Sequence, residues 1–148
     1  MKRSYSVAPM IGRTDSQFRF LIRLISEKTV LFTEMIHSNA ILYGNKNKLE
    51  EYSENENPIV LQLGGNDPES LAKVSKMANM FNYDEINLNL GCPSPRVSNG
   101  GFGAAMMNHP QLVCDCLNAI KENFNKEVSV KIRLGTDDND IDLSLIHI

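Results

Sequence analysis

The chain has 148 residues, of which 42% are hydrophobic, and a formal net charge of -3. This length accommodates one domain with a core, and the composition excludes disordered, collagen-like and coiled-coil chains. No stretch approaches the roughly 20 apolar residues of a membrane span, and residues 1–6 lack the apolar run of a signal peptide. We therefore expect a cytoplasmic protein without membrane contact.

Cysteine usage and charge narrow the function classes further. Cys114 and Cys116 stand two residues apart in a helical pattern, where their side chains point to different faces, and the cysteine count of three is odd. The sequence therefore predicts neither a disulfide framework nor a metal site. An acidic chain argues against an extended nucleic-acid surface, so any RNA contact must be local or come from a part that is absent.

Five short segments with strand character recur along the chain, separated by helical patterns. The third is a nearly unbroken apolar run ended by Gly64 and Gly65, which is typical of a buried parallel strand. The predicted strands cover residues 4–9, 30–33, 59–63, 85–90 and 128–134.

Three helices are predicted from capping residues and apolar spacing. The first begins after Thr14 or Asp15, the second is capped by Asp67 with Pro68 as its first residue, and the third begins near His109. Residues 45–57 are expected to form an exposed loop with some helix, and residues 99–105 a loop. The apolar positions are Phe18, Leu21, Ile22 and Ile25 in the first helix, Leu71, Val74, Met77, Ala78 and Phe81 in the second, and Leu112, Val113, Cys116, Leu117, Ile120 and Phe124 in the third.

The alternation of strand and helix predicts an α/β fold with a parallel sheet covered by helices. A doubly wound sheet and a TIM (β/α)8 barrel both have this pattern, but the dinucleotide fingerprint is missing after the first strand. A full barrel takes about 250 residues. The chain is therefore expected to supply about the first five β/α units of a partial TIM barrel.

The last residues break the pattern. Residues 143–148, Leu-Ser-Leu-Ile-His-Ile, follow a charged stretch with no cap and no continuing periodicity. The end of a common transposon-based sequencing adapter, read as codons, encodes these six residues. We expect residues 1–142 to form the N-terminal part of the barrel and residues 143–148 to be a non-native read-through tail. The alternative is a natural hydrophobic C-terminus.

The segment from Ile86 to Pro93 carries the clearest functional signal. Strand periodicity places Asn87 and Asn89 on one face of the fourth strand, and buried amides need partners, which a polar ligand can provide. Cys92 follows at the carboxyl end of that strand, where barrel enzymes place their active-site groups. A lone cysteine there is more often an inert core residue, so its role depends on the surrounding motifs.

Four motifs resemble those of the tRNA-dihydrouridine synthases in order and approximate spacing, and together they cover residues 5 to about 140. A fuller string from Tyr83 to Ser94, with Thr33-Glu34-Met35 before it and Asn99-Gly100 after it, resembles the A-type branch in particular. The four motifs are Ala8-Pro9-Met10, Leu61-Gln62-Leu63-Gly64-Gly65, Asn87-Leu88-Asn89-Leu90-Gly91-Cys92-Pro93 and Val130-Lys131-Ile132-Arg133.

The resemblance implies a flavin enzyme that acts on tRNA. In that family flavin mononucleotide (FMN), reduced by NADPH, transfers hydride to C6 of a flipped-out uracil, which gives 5,6-dihydrouridine. Cys92 matches the acid that then protonates C5, and cysteine thiols, with an ordinary pKa of about 8.5, are protonated at neutral pH. Asn89 matches the side chain that contacts the target uridine.

The same resemblance assigns flavin contacts to five residues. Pro9, Met10 and Ile11 match the backbone that borders the isoalloxazine ring, and Gln62 matches the amide at the pyrimidine edge of the ring. Lys131 matches the cation near N1 and O2, where negative charge accumulates on reduction. Because it lies in an apolar run, we expect this lysine to be buried rather than on an edge strand.

Other residues and other functions stay open. The sequence does not decide between function and ion pairing for Glu34 and Arg133, and residues 100–103 are expected to form an active-site loop rather than a phosphate loop. A second interpretation is a flavin barrel acting on free pyrimidines, such as a dihydroorotate or dihydropyrimidine dehydrogenase. A third is a non-catalytic fragment, which the scarcity of stacking aromatics does not favour.

Overall fold

The computed structural model describes residues 5–44, 46–52 and 54–135. Its helices of five or more residues are α1 (Ser16–Ile25), α2 (Ser38–Leu42), α3 (Pro68–Ala78), α4 (Pro95–Asn99) and α5 (Pro110–Asn123). Its strands are β1 (Leu31–Phe32), β2 (Ile36–His37), β3 (Ile59–Gly64), β4 (Glu85–Asn89) and β5 (Glu127–Lys131). Short 3-10 turns cover Lys46–Leu49, Glu54–Glu56 and Gly103–Asn108.

All strand pairs of the sheet are parallel, and neighbours follow in chain order. Ser6 forms a single bridge with Val30, β1 and β2 both pair with β3, β3 pairs with β4, and β4 pairs with β5. A doubly wound sheet reverses its strand order at a switch point, whereas a (β/α)8 barrel adds strands sequentially. The predicted α/β class is therefore confirmed, and the order is that of a partial barrel.

The predicted helices begin at the capping residues that the sequence indicates. The Asp15 side chain accepts from the Phe18 N–H at 2.9 Å, and Asp67 accepts from the Ser70 N–H at 3.0 Å. Such caps satisfy amide groups that the first turn of a helix leaves unpaired. The third predicted helix also begins as expected, with His109 in the cap position.

The core lies between the sheet and the helices α3 and α5. Both faces of β3 and β4 are buried, as expected for central parallel strands. Leu71 and Val74 of α3 and Val113, Cys116 and Ile120 of α5 belong to the same buried cluster. The apolar stripes predicted for these two helices therefore face the core.

Four elements differ from the prediction. The first strand is reduced to the bridge at Ser6, and the fifth ends at Lys131 rather than Leu134, because β4 offers its last partner at Asn89. β2 and α4 were not predicted, since two-residue and five-residue elements leave no readable periodicity.

The apolar side of α1 is exposed. Leu21, Leu24 and Ile25 are 53%, 70% and 75% exposed, and Arg19 is the buried residue of this helix. Arg19 donates to the Glu56 carboxylate and to two backbone carbonyls. The helix is thus held through Arg19 and also through Arg23, which donates to backbone carbonyls outside the helix.

Helix length and side-chain grouping in the described residues bear on membrane and metal binding. None of the helices there is both long and apolar enough to cross a bilayer. The described part of the chain also contains no group of three or more histidine, cysteine or acidic side chains placed to hold a metal ion. The predicted tail, residues 143–148, lies outside the described residues.

Candidate active site

A cleft of about 840 Å³ opens at the carboxyl ends of the strands. This is the edge where parallel barrels place ligands, and the volume lies within the range of about 300–1,000 Å³ for ligand sites. Six of the seven predicted site residues line the cleft: Pro9, Ile11, Gln62, Asn89, Cys92 and Lys131. They come from four separate segments of the sequence, which lie up to 122 positions apart, from residue 9 to residue 131.

Met10 is the predicted residue that does not line this cleft. Its N–H donates to the Thr14 hydroxyl at 3.0 Å, its carbonyl accepts from the Thr14 N–H at 2.9 Å, and its side chain is 42% exposed. Met10 therefore belongs to the turn that leads from the first sheet pairing to α1, between the two residues that face the cleft.

Gln62 and Asn89 form the buried floor of the cleft. They are 1% and 8% exposed, and the Asn89 amide nitrogen donates to the Gln62 side-chain oxygen at 3.1 Å. Gln62 in turn donates to the Asn87 side-chain oxygen at 2.7 Å. The amides that the sequence predicts to need partners thus find them partly in each other.

The Cys92 backbone is fixed from two sides, while its side chain reaches the cleft. Its N–H donates to the Asn89 side-chain oxygen at 3.0 Å, and its carbonyl accepts from the Ala104 N–H at 3.1 Å. The thiol is half-buried and lies 3.6 Å from the Ser94 hydroxyl, to which it donates. Ser94 occupies the cap position of α4 but makes no capping bond, so its hydroxyl is directed to the thiol.

The segment after Cys92 folds back onto it at Gly103. This glycine has φ +64°, in the left-handed region that favours glycine, and a Cβ there would meet the Cys92 carbonyl oxygen at 2.8 Å and a Val97 methyl at 2.4 Å. The Asn66 side chain also donates to the carbonyls of Gly100 and Gly101. This segment therefore packs against Cys92, and its Phe102 lines the cleft.

Lys131 lines the cleft but is exposed, so the expectation of a buried lysine is wrong. It is the last residue of β5, which pairs with β4 on one side and has no second neighbour in the described part of the sheet. Apolar neighbours in the sequence do not bury a residue whose strand lies at the edge.

The cleft residues that were not named individually as site residues include His37, Lys48 and Arg96, together with Phe102 of the expected active-site loop. The His37 ring packs edge-on against Phe102 with centroids 4.6 Å apart, and its Nδ1 accepts from the Asn39 N–H at 3.1 Å. Burial, and secondarily the positive charge of Arg96, lowers the pKa of His37 below its ordinary value. Phe102 lies in the loop expected over residues 99–105, Arg96 lies in α4, which was not predicted, and no sequence signal points His37 or Lys48 towards the cleft.

Glu34 and Arg133, whose roles the sequence leaves open, lie in different surroundings. Glu34 lines the cleft, and its carboxylate accepts from the Arg13 N–H at 3.1 Å. Arg133 is exposed beyond the end of β5.

The sequential parallel sheet, with a polar cleft and a cysteine at its carboxyl edge, defines an α/β protein of the barrel type. A model of the dihydrouridine synthase family matches residues 6–147. The chain therefore belongs to the dihydrouridine synthase family.

Several relatives carry the name tRNA-dihydrouridine(20/20a) synthase. The chain is 53% identical to the Vibrio parahaemolyticus protein over 135 residues, which is 91% of this chain and 41% of that protein. It is 51% identical to the Escherichia coli K12 protein over 92% of this chain and 39% of that protein, and 46% identical to the Synechocystis protein over 96% and 42%. The chain thus spans about two fifths of the length of these relatives.

Proposed function

We propose that this chain is the N-terminal part of an enzyme that reduces uridine in tRNA to 5,6-dihydrouridine. The family membership and the names of the relatives support the reaction. The observation that carries the proposal is that Cys92 and Asn89 share one hydrogen-bonded turn at the cleft, with Gln62 below them. The proposed proton donor and the amide that contacts the uracil are then held in one rigid unit.

FMN fits the cleft as this chain builds it. The cleft has the volume for a ring system, an apolar wall at Pro9 and Ile11, a polar floor at Gln62 and a cation at Lys131. Pro9, Met10, Ile11 and Gln62 would border the ring, and Lys131 would stabilise negative charge on the reduced ring. When bound and reduced by NADPH, FMN supplies the hydride that reaches C6 of the uracil.

The residues of this chain then complete the reduction. Asn89 positions the uracil, and the Cys92 thiol gives its proton to C5, so that the C5–C6 double bond gains one hydride and one proton. The resulting thiolate regains a proton from water. Ser94, which accepts the thiol hydrogen bond, keeps the Cys92 side chain in one orientation for this transfer.

The proposed partner is tRNA, which the protein contacts locally, at the cleft. The protein is acidic overall, but Lys48, Arg96 and Lys131 all line the cleft, so phosphates beside a flipped-out base meet positive charge there. The relatives' name specifies positions 20 and 20a, and we propose the same positions here. We propose residues 1–142 as the barrel segment, residues 143–148 as a non-native tail, and the cytoplasm as the place of action.

The test uses the full-length protein that carries this chain. It is incubated with NADPH and tRNA that lacks dihydrouridine, and the RNA is digested and mapped by mass spectrometry. We expect a gain of two hydrogens at a uridine of position 20 or 20a. A matched incubation with free uracil or orotate separates the alternatives, since reduction of the free base without reduction of tRNA would contradict the proposal.

A further inference from the structure

A chain of side-chain hydrogen bonds runs from the floor of the cleft down through the inside of the sheet. Asn89 donates to Gln62 at 3.1 Å, Gln62 donates to Asn87 at 2.7 Å, and Asn87 donates to the Ser129 hydroxyl at 2.8 Å. Ser129 in turn donates to the carboxylate of Glu85. The members come from three neighbouring strands whose registers place Gln62, Asn87 and Ser129 side by side.

Every bond in this chain points the same way, towards Glu85. The Glu85 carboxyl oxygen accepts from Ser129, while amides and hydroxyls can both donate and accept. With Glu85 as acceptor, Ser129 must donate to it and is left to accept from the Asn87 nitrogen. The Asn87 oxygen then accepts from Gln62, and the Gln62 oxygen accepts from Asn89.

The direction of the chain determines what Asn89 offers to a ligand. Its side-chain oxygen accepts from the N–H groups of Gly91 at 3.2 Å and Cys92 at 3.0 Å, which uses both lone pairs. Its nitrogen carries two hydrogens, and one is used by Gln62. Within the described part of the chain, the remaining bonding capacity of Asn89 is one N–H donor, which suits a carbonyl oxygen.

We propose that Glu85 and Ser129 are positioning residues for the active site. Through Asn87 they fix the amide orientation of Gln62 and Asn89, and through Asn89 the placement of Cys92. Glu85 is fully buried, and burying a carboxylate is costly unless it is well bonded, so a residue of this kind at the base of the site is consistent with such a role. The proposal rests on the proposed function for its kinetic effects but not for its geometry.

Two variants of the full-length protein interrupt the chain of hydrogen bonds at different points. Glu85→Gln keeps the shape but can donate as well as accept, so that this residue no longer fixes the direction of the hydrogen-bond chain, and Ser129→Ala removes one link. Ser129→Thr keeps the hydroxyl, and Glu69→Gln removes an exposed carboxylate of α3 that pairs with Lys73 at the surface. These last two are the matched controls.

The first measurement is the rate of uridine reduction by prereduced enzyme. We expect Glu85→Gln and Ser129→Ala each to lower it about tenfold to hundredfold, the scale of a small misplacement of reacting groups. The double variant should be no slower than the slower single variant, because both substitutions interrupt the same series of hydrogen bonds. Both controls should stay close to the unmodified protein.

The second measurement needs neither flavin nor tRNA. The pH dependence of alkylation is followed at Cys92 in flavin-free protein by peptide mass spectrometry, with the exposed Cys114 as internal reference. We expect the profile of Cys92 to change in both variants and that of Cys114 to stay the same. If the unmodified protein reduces no tRNA, the proposed function fails, but the alkylation comparison still tests the positioning role. If Glu85→Gln does not fold, Ser129→Ala tests that role instead. Unchanged kinetics and alkylation, or additive effects in the double variant, would overturn the proposal.

Discussion

At the scale of single residues, the charge of Lys131 offers a direct probe of the site. It lines the cleft at the end of β5, in register with Asn89. Lys131→Met should lower the reduction potential of bound FMN, because a positive charge stabilises the reduced, negatively charged ring. For a two-electron couple a loss of about 1.4 kcal/mol corresponds to about 30 mV, so we expect a decrease of tens of millivolts in a spectroelectrochemical titration.

Two control variants accompany this measurement. Lys131→Arg keeps the charge and should keep most of the potential, and Lys121→Met removes an exposed charge from α5 without touching the cleft. A potential that is the same in Lys131→Met and in the unmodified protein would place this side chain away from the flavin.

The site residues also show how far a sequence can predict chemistry. Strand periodicity and the carboxyl-end rule predict Asn89 and Cys92 at one edge of the sheet, whereas Gln62 was assigned to the site only through the family resemblance. The direction of the amide bonds was out of reach, since Asn87 finds its partners 25 residues upstream and 42 residues downstream. Which atom an amide presents depends on such distant neighbours, and no local pattern records them.

At the scale of elements, His37 links α2 to the wall of the cleft. Its ring accepts the capping hydrogen bond of α2 and packs on Phe102. Burial holds its pKa below the ordinary value near 6.5, so the unfolded chain binds a proton more readily than the folded one. Stability should therefore fall as the pH falls through about 6.5 and below, until the folded form is also protonated.

His37→Asn tests this pH dependence. Asparagine does not titrate in this range and can still cap a helix, so the variant should lose less stability than the unmodified protein between about pH 7.5 and about pH 5. Urea unfolding at the two pH values measures the difference. His109→Asn, an exposed residue in the cap position of α5, is the control. Equal pH dependence in His37→Asn and in the unmodified protein would contradict the assignment.

The elements themselves were predictable to different degrees. Helices with an aspartate cap and a long apolar stripe, such as α3, formed where the sequence indicated. The first and fifth strands were shorter than predicted because strand length depends on the neighbouring strand, which the local sequence does not contain. α4 ends at Asn99, which is the first residue of the loop expected over residues 99–105.

At the scale of the whole molecule, the described sheet has an open edge and an uncovered helix. Val130 in β5 and Leu134 beyond its end are 39% and 74% exposed, and Leu24 and Ile25 of α1 are more than two thirds exposed. An open strand edge beside apolar surface favours association with another chain. We expect residues 1–142, purified alone, to aggregate or associate and to retain no flavin.

Size-exclusion chromatography and flavin absorbance measure this outcome, with the full-length protein as control. A yellow, monodisperse monomer that melts cooperatively would show that these residues close a core and hold the cofactor by themselves. The partial-barrel account would then be wrong for the isolated segment.

The central claim is that Cys92 gives the proton in uridine reduction and takes no part in flavin reduction. Stopped-flow measurements on full-length protein separate the two half-reactions, NADPH oxidation by the flavin and flavin oxidation by tRNA. For Cys92→Ala the account predicts nearly unchanged flavin binding and reduction, and a loss of about 100-fold or more in uridine reduction, the scale for a missing general acid. Equal losses in both half-reactions, or no loss in the second, would contradict it.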